Sequence, residues 1–388
     1  GFMPTDFDTG STSTEATMLL VTQSSDAPAG NNAAASDAVI DAQLAMQNLG
    51  GSADGDEYLV FGSGIISDEI NSSMTDSLLI VGPLALIFVI IALVVAYRDV
   101  LDILLGLLGI GGVLAWTFGF MGWASISFNQ LMIAVPVLLI GLSIDYAIHI
   151  FMRHREERGD DDTPRGSMRV ALAGVGIALV YVTATTVIGF LSNLTSPIPP
   201  IRDFGVVSAF GITAALAIFG ILMPAVKAEL DEALEARGID RRKRAFGTGG
   251  GRFSSVLSVG ATAARRAPYL VLVVVLLVSA GGAYGATQVD TSFSQEDFLA
   301  EEPADWMKDL PEPFAPGEYT AKSNLEYVNE NFIREDSQAQ ILVEGDVTAD
   351  TVLERVDTAE RSAANKGVTQ TLSNGDPDAT TPLSVMRD

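Results

Sequence analysis

Six apolar runs, each about as long as a bilayer-crossing helix, constrain this 388-residue chain more than any other feature. Crossing roughly 30 Å of hydrocarbon takes about 20 helical residues. Residues 78–97, 100–121, 131–152, 170–192, 204–226 and 268–288 all meet that requirement. Only 18% of the residues are charged, where a soluble chain has about a quarter, yet the net charge is −25. The two facts agree only if charged and apolar residues are segregated along the chain, and the reading is a multi-pass membrane protein. None of the runs has the charged leader and cleavage site of a signal peptide. The chain starts at Gly1 without an initiator Met and stops soon after a strand-like run, so it reads as the middle of a longer protein.

The same composition removes several classes of function. Zero Cys excludes a disulfide framework, thiolate zinc and a cysteine nucleophile. Two His leave nothing for an all-His metal site, and the acidic balance lacks the basic footprint of a nucleic-acid binder. GTGGGR (247–252) lacks the Gly-Lys-Ser/Thr ending of a phosphate loop and reads as a flexible linker. No nucleophile and base stand at catalytic spacing. The reading is a protein that is not an enzyme, with no cofactor and no metal.

Basic residues orient the spans. The connections after the first, third and fifth runs carry fifteen Lys and Arg, from Arg98 to Arg266. The opposite side has Arg202 alone in its short loops, and residues 1–76 have no base at all. This positive-inside pattern places 1–76 and 289–388 outside the cell membrane. The expected organisation is therefore an outer segment 1–76, a five-helix block 77–226, a cytoplasmic linker 227–267 with amphipathic helices and a basic cluster, a sixth span 268–288, and an outer segment 289–388. Within the outer segments, 15–23, 58–62 and 338–344 read as strands, and about 33–49 and 348–364 as helices. The fold class expected is an all-α membrane bundle with partial α/β, ferredoxin-like outer domains.

Asp145 is the one carboxylate well inside an apolar run, since Asp102 sits near a helix start where water and the helix dipole favour it. An ionised Asp at mid-span costs about 2.5–3.5 kcal/mol on insertion scales. Desolvation raises a carboxyl pKa toward the range where protons exchange at neutral pH, which is what an ion-coupling site needs. His149 follows four residues later on the same helix face, and Tyr146 adds a hydroxyl. Ser143, Thr183 and Thr186 are supporting hydroxyls, with Thr185 beside them. Each has a plainer reading: Asp145 as an interhelical staple, His149 as an interfacial residue, Tyr146 as packing, and the threonines as back-bonded to their own helix.

The motifs around these residues resemble a known group. GLSIDYAIHIFMRHREE (141–157) resembles the fourth membrane helix of the resistance–nodulation–division (RND) superfamily, especially its MMPL-like exporters of lipids and other hydrophobic compounds. TATTVIGFLSN (183–193), PIPPIRDFGVVSAFGI (197–212) and VDTSFSQEDFLAEEPADW (289–306) are similar to that group's fifth helix, sixth helix with its preceding loop, and second outer domain. The resemblance implies that the six runs are helices two to seven of twelve. It implies an Asp-Tyr pair, here Asp145 and Tyr146, facing an equivalent pair in the second half and passing protons. The block 78–226 is also similar to the sterol-sensing domain, so a lipid receptor without ion flux stays open. Accessory subunits of the Sec translocon share the architecture but usually have Asp-Ala-Asn where this chain has Asp145-Tyr146-Ala147.

The expectation is a secondary exporter driven by protons, or by sodium, with the bilayer and a hydrophobic or lipid-like substrate as partners and a homo-oligomer as one form. Residues 1–76 hold twelve acids and no base, 289–388 hold twenty-two acids against seven bases, and Arg outnumbers Lys 18 to 5. That bias reads as the salt adaptation of a halophilic archaeon, in which high net charge maintains solubility.

Overall fold

In the computed structural model, the apolar runs are long helices whose ends follow from local chemistry. The structure describes residues 36–50, 59–159, 162–245, 262–289, 298–312, 314–332 and 351–366, with short pieces at 4, 13–14, 16–21, 23 and 381. The chain divides into two units, 1–20 with 328–388, and 21–327. Among the described residues six helices are long and apolar enough to cross a membrane, all in the second unit: Ser63–Tyr97, Val100–Trp123, Gln130–Glu156, Pro164–Thr195, Pro199–Glu235 and Pro268–Ala286. These cover all six apolar runs, as expected of a multi-pass membrane protein.

Helix α1 (Asp37–Gly50) packs against the start of α2 (Ser63–Tyr97). Gly62 offers α2 no side-chain cap, and Gln43 Oε1 of α1 takes its place, accepting from the Gly64 and Ile65 N–H groups at 2.8 and 3.3 Å. Arg98 ends α2 in the left-handed region (φ 49°), and the side chain of Asp99 caps α3 (Val100–Trp123) by accepting from the Asp102 N–H. A 3-10 turn (Gln130–Ile133) leads into α4 (Ala134–Glu156). Thr163 as cap and Pro164 at the first position open α5 (Pro164–Leu191), and Pro199 and Pro200 open α6 (Pro199–Ala217). A π turn (Ile218–Leu222) joins α6 to α7 (Met223–Glu235). Pro224 lacks an N–H and its ring crowds the carbonyl four residues earlier, so the widened turn falls where the α-helical ladder is interrupted.

Helices α2 to α6 pack around Leu93, Val113, Leu139, Ile150, Val207 and Ile212, all buried. Lipid offers no hydrophobic drive between helices, so close approach through small residues matters. A Cβ on Gly205 would stand 2.5 Å from the Phe190 carbonyl oxygen, which shows how tightly α6 meets the end of α5. Helix α8 (Pro268–Ala286) has no buried residue, leaving its apolar surface open on all sides. Three further helices are α9 (Asp305–Lys308), α10 (Ala321–Asn331) and α11 (Val352–Asn365).

The ferredoxin-like outer domains are not supported. Residues 16–21 and 59–61 carry no strand, and no strand occurs among the described residues. A strand needs a partner for its N–H and C=O groups, and an apolar run alone does not provide one. The expected strand at 338–344 lies outside the described residues. The two expected helices do form, as α1 and α11.

Candidate functional site

On α4, positions 134, 137, 141, 145 and 149 fall on one exposed stripe, whereas Leu139, Ile140, Ser143, Tyr146 and Ala147 turn into the bundle. The period of 3.6 residues explains how adjacent residues part company: Asp145 faces out and Tyr146 faces in. Asp145 Oδ1 lies 3.3 Å from His149 Nε2, and the two side chains are 59% and 61% exposed. Within this chain Asp145 is therefore not buried, and its partner sits on its own helix, so it does not staple α4 to a neighbour within the bundle. A carboxylate bared to hydrocarbon is expensive, so such a face calls for a cover or for protonation.

Tyr146 is sealed inside, with its hydroxyl 2.7 Å from Thr183 Oγ1 on α5. Thr183 gives its only hydroxyl proton to the Leu179 carbonyl at 2.8 Å, so Tyr146 is the donor to Thr183. Thr186 donates to the Val182 carbonyl, and Thr185 to the carbonyls of Tyr181 and Val182, all on α5 itself. The Ser143 hydroxyl is buried with no hydrogen-bond partner among the described residues. Of the supporting hydroxyls expected from the sequence, only Thr183 joins the Asp145–Tyr146 pair.

A second cluster lies at the end of the bundle where the basic connections emerge. Asp102, 0% exposed, is not hydrated at a helix start as its position implied; it accepts from Arg155 Nη2 and Lys227 Nζ, both at 2.6 Å. Lys227 also reaches Asp231 at 2.9 Å, and Arg241 links Asp231 to Asp99 at 2.9 and 2.8 Å. Arg241 is thus a buried strut and not only a mark of orientation. His154 completes the group, with Nδ1 3.2 Å from Ser167 Oγ and Nε2 3.6 Å from Asp231. Burial would raise the Asp99 carboxyl, but the hydrogen bonds from Arg241 and the Asp102 N–H outweigh it and hold the pKa below the ordinary carboxylate value.

Three acids and three bases so arranged neutralise one another. They tie the α2–α3 connection, α3, α4 and α7 together and leave the carboxylates no free edge for a cation. Among the described residues no three His, Cys, Asp or Glu side chains are gathered to hold a metal. Sequence reasoning missed this cluster. The one local signal was Lys227 and Asp231, four residues apart just where the fifth apolar run ends.

An apolar recess of about 660 Å³ opens between α2, the 3-10 turn, α4, α5 and α6, with Val81, Leu131, Val137, Phe190 and Phe204 in its walls.

The family model described as MMPL family matches residues 4–259. The chain is 30% identical over 172 residues to membrane protein MJ1562 of Methanocaldococcus jannaschii, covering 44% of each chain. It is 26% identical over 163 residues to the hopanoid transporter HpnN of Burkholderia multivorans, which covers 42% of this chain and 18% of HpnN. It is also 31% identical over 146 residues to membrane protein ActII-3 of Streptomyces coelicolor, covering 36% of this chain and 20% of ActII-3. The chain spans less than half the length of each of these relatives. With a family match over more than half of its residues, the chain belongs to the MMPL family.

Proposed function

We propose that this protein is part of a secondary active exporter that moves lipids or other hydrophobic compounds outward, driven by protons, or by sodium, acting at Asp145. The observation that carries the reading is the open face of α4. It presents a mid-span acid paired with His149, and directly behind it Tyr146 is anchored to α5. A second set of membrane helices laid on this face would desolvate Asp145 and make its charge depend on what lies opposite. Protonation then removes a charge that favours one arrangement of the helices, and deprotonation restores it.

One charge crossing about 100 mV supplies about 2.3 kcal/mol, and one pH unit adds about 1.4 kcal/mol. Together these sustain a cargo gradient of a few hundredfold per proton. Two further points support a hydrophobic cargo: the apolar recess beside α4 fits a hydrocarbon chain, and one of the relatives, HpnN, is named a hopanoid transporter. The recess also favours the second reading, a lipid receptor without ion flux.

The test is Asp145→Asn in the full-length protein, reconstituted in vesicles with an imposed proton gradient. Export that stops in the variant while lipid binding persists supports the pump. Gradient-driven export at the unmodified rate removes Asp145 from the mechanism, and saturable lipid binding with no gradient dependence in either protein favours the receptor.

A further inference from the structure

Helix α2 starts at Ser63, well before the apolar run that opens at residue 78, and its extension carries three carboxylates that the transport reading does not use, two of which reach across to a distant part of the chain. Glu69 and Asp76 are seven residues apart, two turns along one face. Glu69 is 9% exposed. Its Oε1 accepts from the Thr320 N–H at 3.0 Å and the Thr320 hydroxyl at 3.2 Å, and its Oε2 accepts from the Ala321 N–H at 2.8 Å. Ala321 is the first residue of α10, so a carboxylate from another helix satisfies N–H groups that a helix start leaves open, at its positive end. Asp76 Oδ2 accepts from the Gly317 N–H at 2.8 Å and the Tyr319 hydroxyl at 2.5 Å. The two acids thus hold residues 317–321 through five hydrogen bonds from neutral donors.

The other end of α2 is also fastened. The Tyr97 carbonyl accepts from Arg155 Nη1 at 2.8 Å, and Arg155 belongs to α4, the helix that carries Asp145. At about 1.5 Å per residue, the stretch of α2 from Glu69 to Tyr97 spans about 40 Å.

We propose that α2 is the rod by which movement of α4 reaches the segment following α8, with Glu69 and Asp76 as the positioning residues that grip residues 317–321. The proposal rests on the transport reading. An acid pair that only stabilised the fold would alter the amount of active protein, whereas a grip that transmits movement sets how much cargo leaves for each proton that enters.

Two measurements on the full-length protein test it. The chain has no cysteine, so a Cys pair placed at Asp76 and Gly317 introduces the only thiols in this stretch. A short bis-thiosulfonate linker is expected to join them, and failure to join overturns the grip. In vesicles, the Glu69→Gln/Asp76→Asn double variant is expected to export about tenfold less cargo per proton taken up, the scale set by losing charge-assisted hydrogen bonds. Proton entry continues at Asp145, and restoring Glu69 and placing Glu at position 76 recovers part of the ratio. An unchanged ratio of cargo to protons overturns the rod. If the unmodified protein shows no proton-linked export at all, the transport reading fails and takes the rod with it, whatever the cross-link shows.

Discussion

Lys227 Nζ stands 2.6 Å from Asp102 Oδ1, 125 residues earlier in the chain, and both side chains are sealed from solvent. Removing one member of a buried pair leaves an uncompensated charge, which typically costs about 3–5 kcal/mol. Asp102→Asn leaves Lys227 and Arg155 facing one carboxylate fewer, and its thermal unfolding in detergent is expected to fall accordingly. Adding Lys227→Gln restores the charge balance, so the double variant should be more stable than the sum of the two single changes. Strict additivity would show that the two charges do not interact.

Tyr146 and Thr183 give an asymmetric pair of substitutions. Tyr146→Phe removes the donor, and Thr183 keeps its bond to the Leu179 carbonyl, so the cost is about 0.5–1.5 kcal/mol. Thr183→Val leaves a buried phenol hydroxyl with no acceptor and costs about 1–3 kcal/mol. Chemical unfolding of the two variants in detergent checks the order, and the reverse order would contradict the assigned donor.

Gly141 lies one turn before Asp145 on the open stripe, and nothing stands within 4 Å of where its Cβ would be. Gly141→Leu is therefore expected to leave the packing of these helices unchanged, and it gains up to about 1 kcal/mol from helix propensity. If a second set of helices covers this face in the full-length protein, the same change holds them apart and lowers export about tenfold or more. Unchanged export in the variant would mean that the stripe faces lipid.

Acid should act on the Asp99–Arg241 pair in a defined direction. The folded carboxyl pKa is depressed, so its contribution is complete above the ordinary value of about 3.9 and is lost as pH falls through the lower folded value. Arg241→Gln removes the main cause of the depression. Melting curves from about pH 5 down to about pH 2, within the window over which a depressed carboxyl loses its contribution, should show the unmodified protein losing stability with acid while the variant, already less stable at neutral pH, changes less, so that the two curves converge. Parallel curves would contradict the pairing.

How far each feature could be read from the sequence depended on whether its cause was local. The six spans were legible because an apolar run and a helix both lie within one continuous segment. The pairing of Asp145 with His149 was legible because residues four apart share one helix face. The extent of α2 beyond its apolar run was not, because the part from Ser63 to Asp76 is held by α1 and by residues 317–321, not by hydropathy. The bond from Tyr146 to Thr183 and the pairs Asp102–Arg155, Asp102–Lys227 and Asp99–Arg241 join residues 37 to 142 positions apart, and no periodicity records such pairings. Where residues of 15–23 and 58–62 are described they form no strand, because an apolar run marks a segment that could pair, not one that has found a partner.

The central claim is that Asp145 changes protonation during the working cycle. Infrared difference spectroscopy of the full-length protein in lipid, cycled between low and high external pH with cargo present, tests it most directly. A carbonyl stretch of a protonated carboxylic acid that comes and goes with the cycle, and that is missing in Asp145→Asn, is the predicted result. A spectrum in which Asp145 contributes no such band at any stage, or the same band at every stage, would contradict the account.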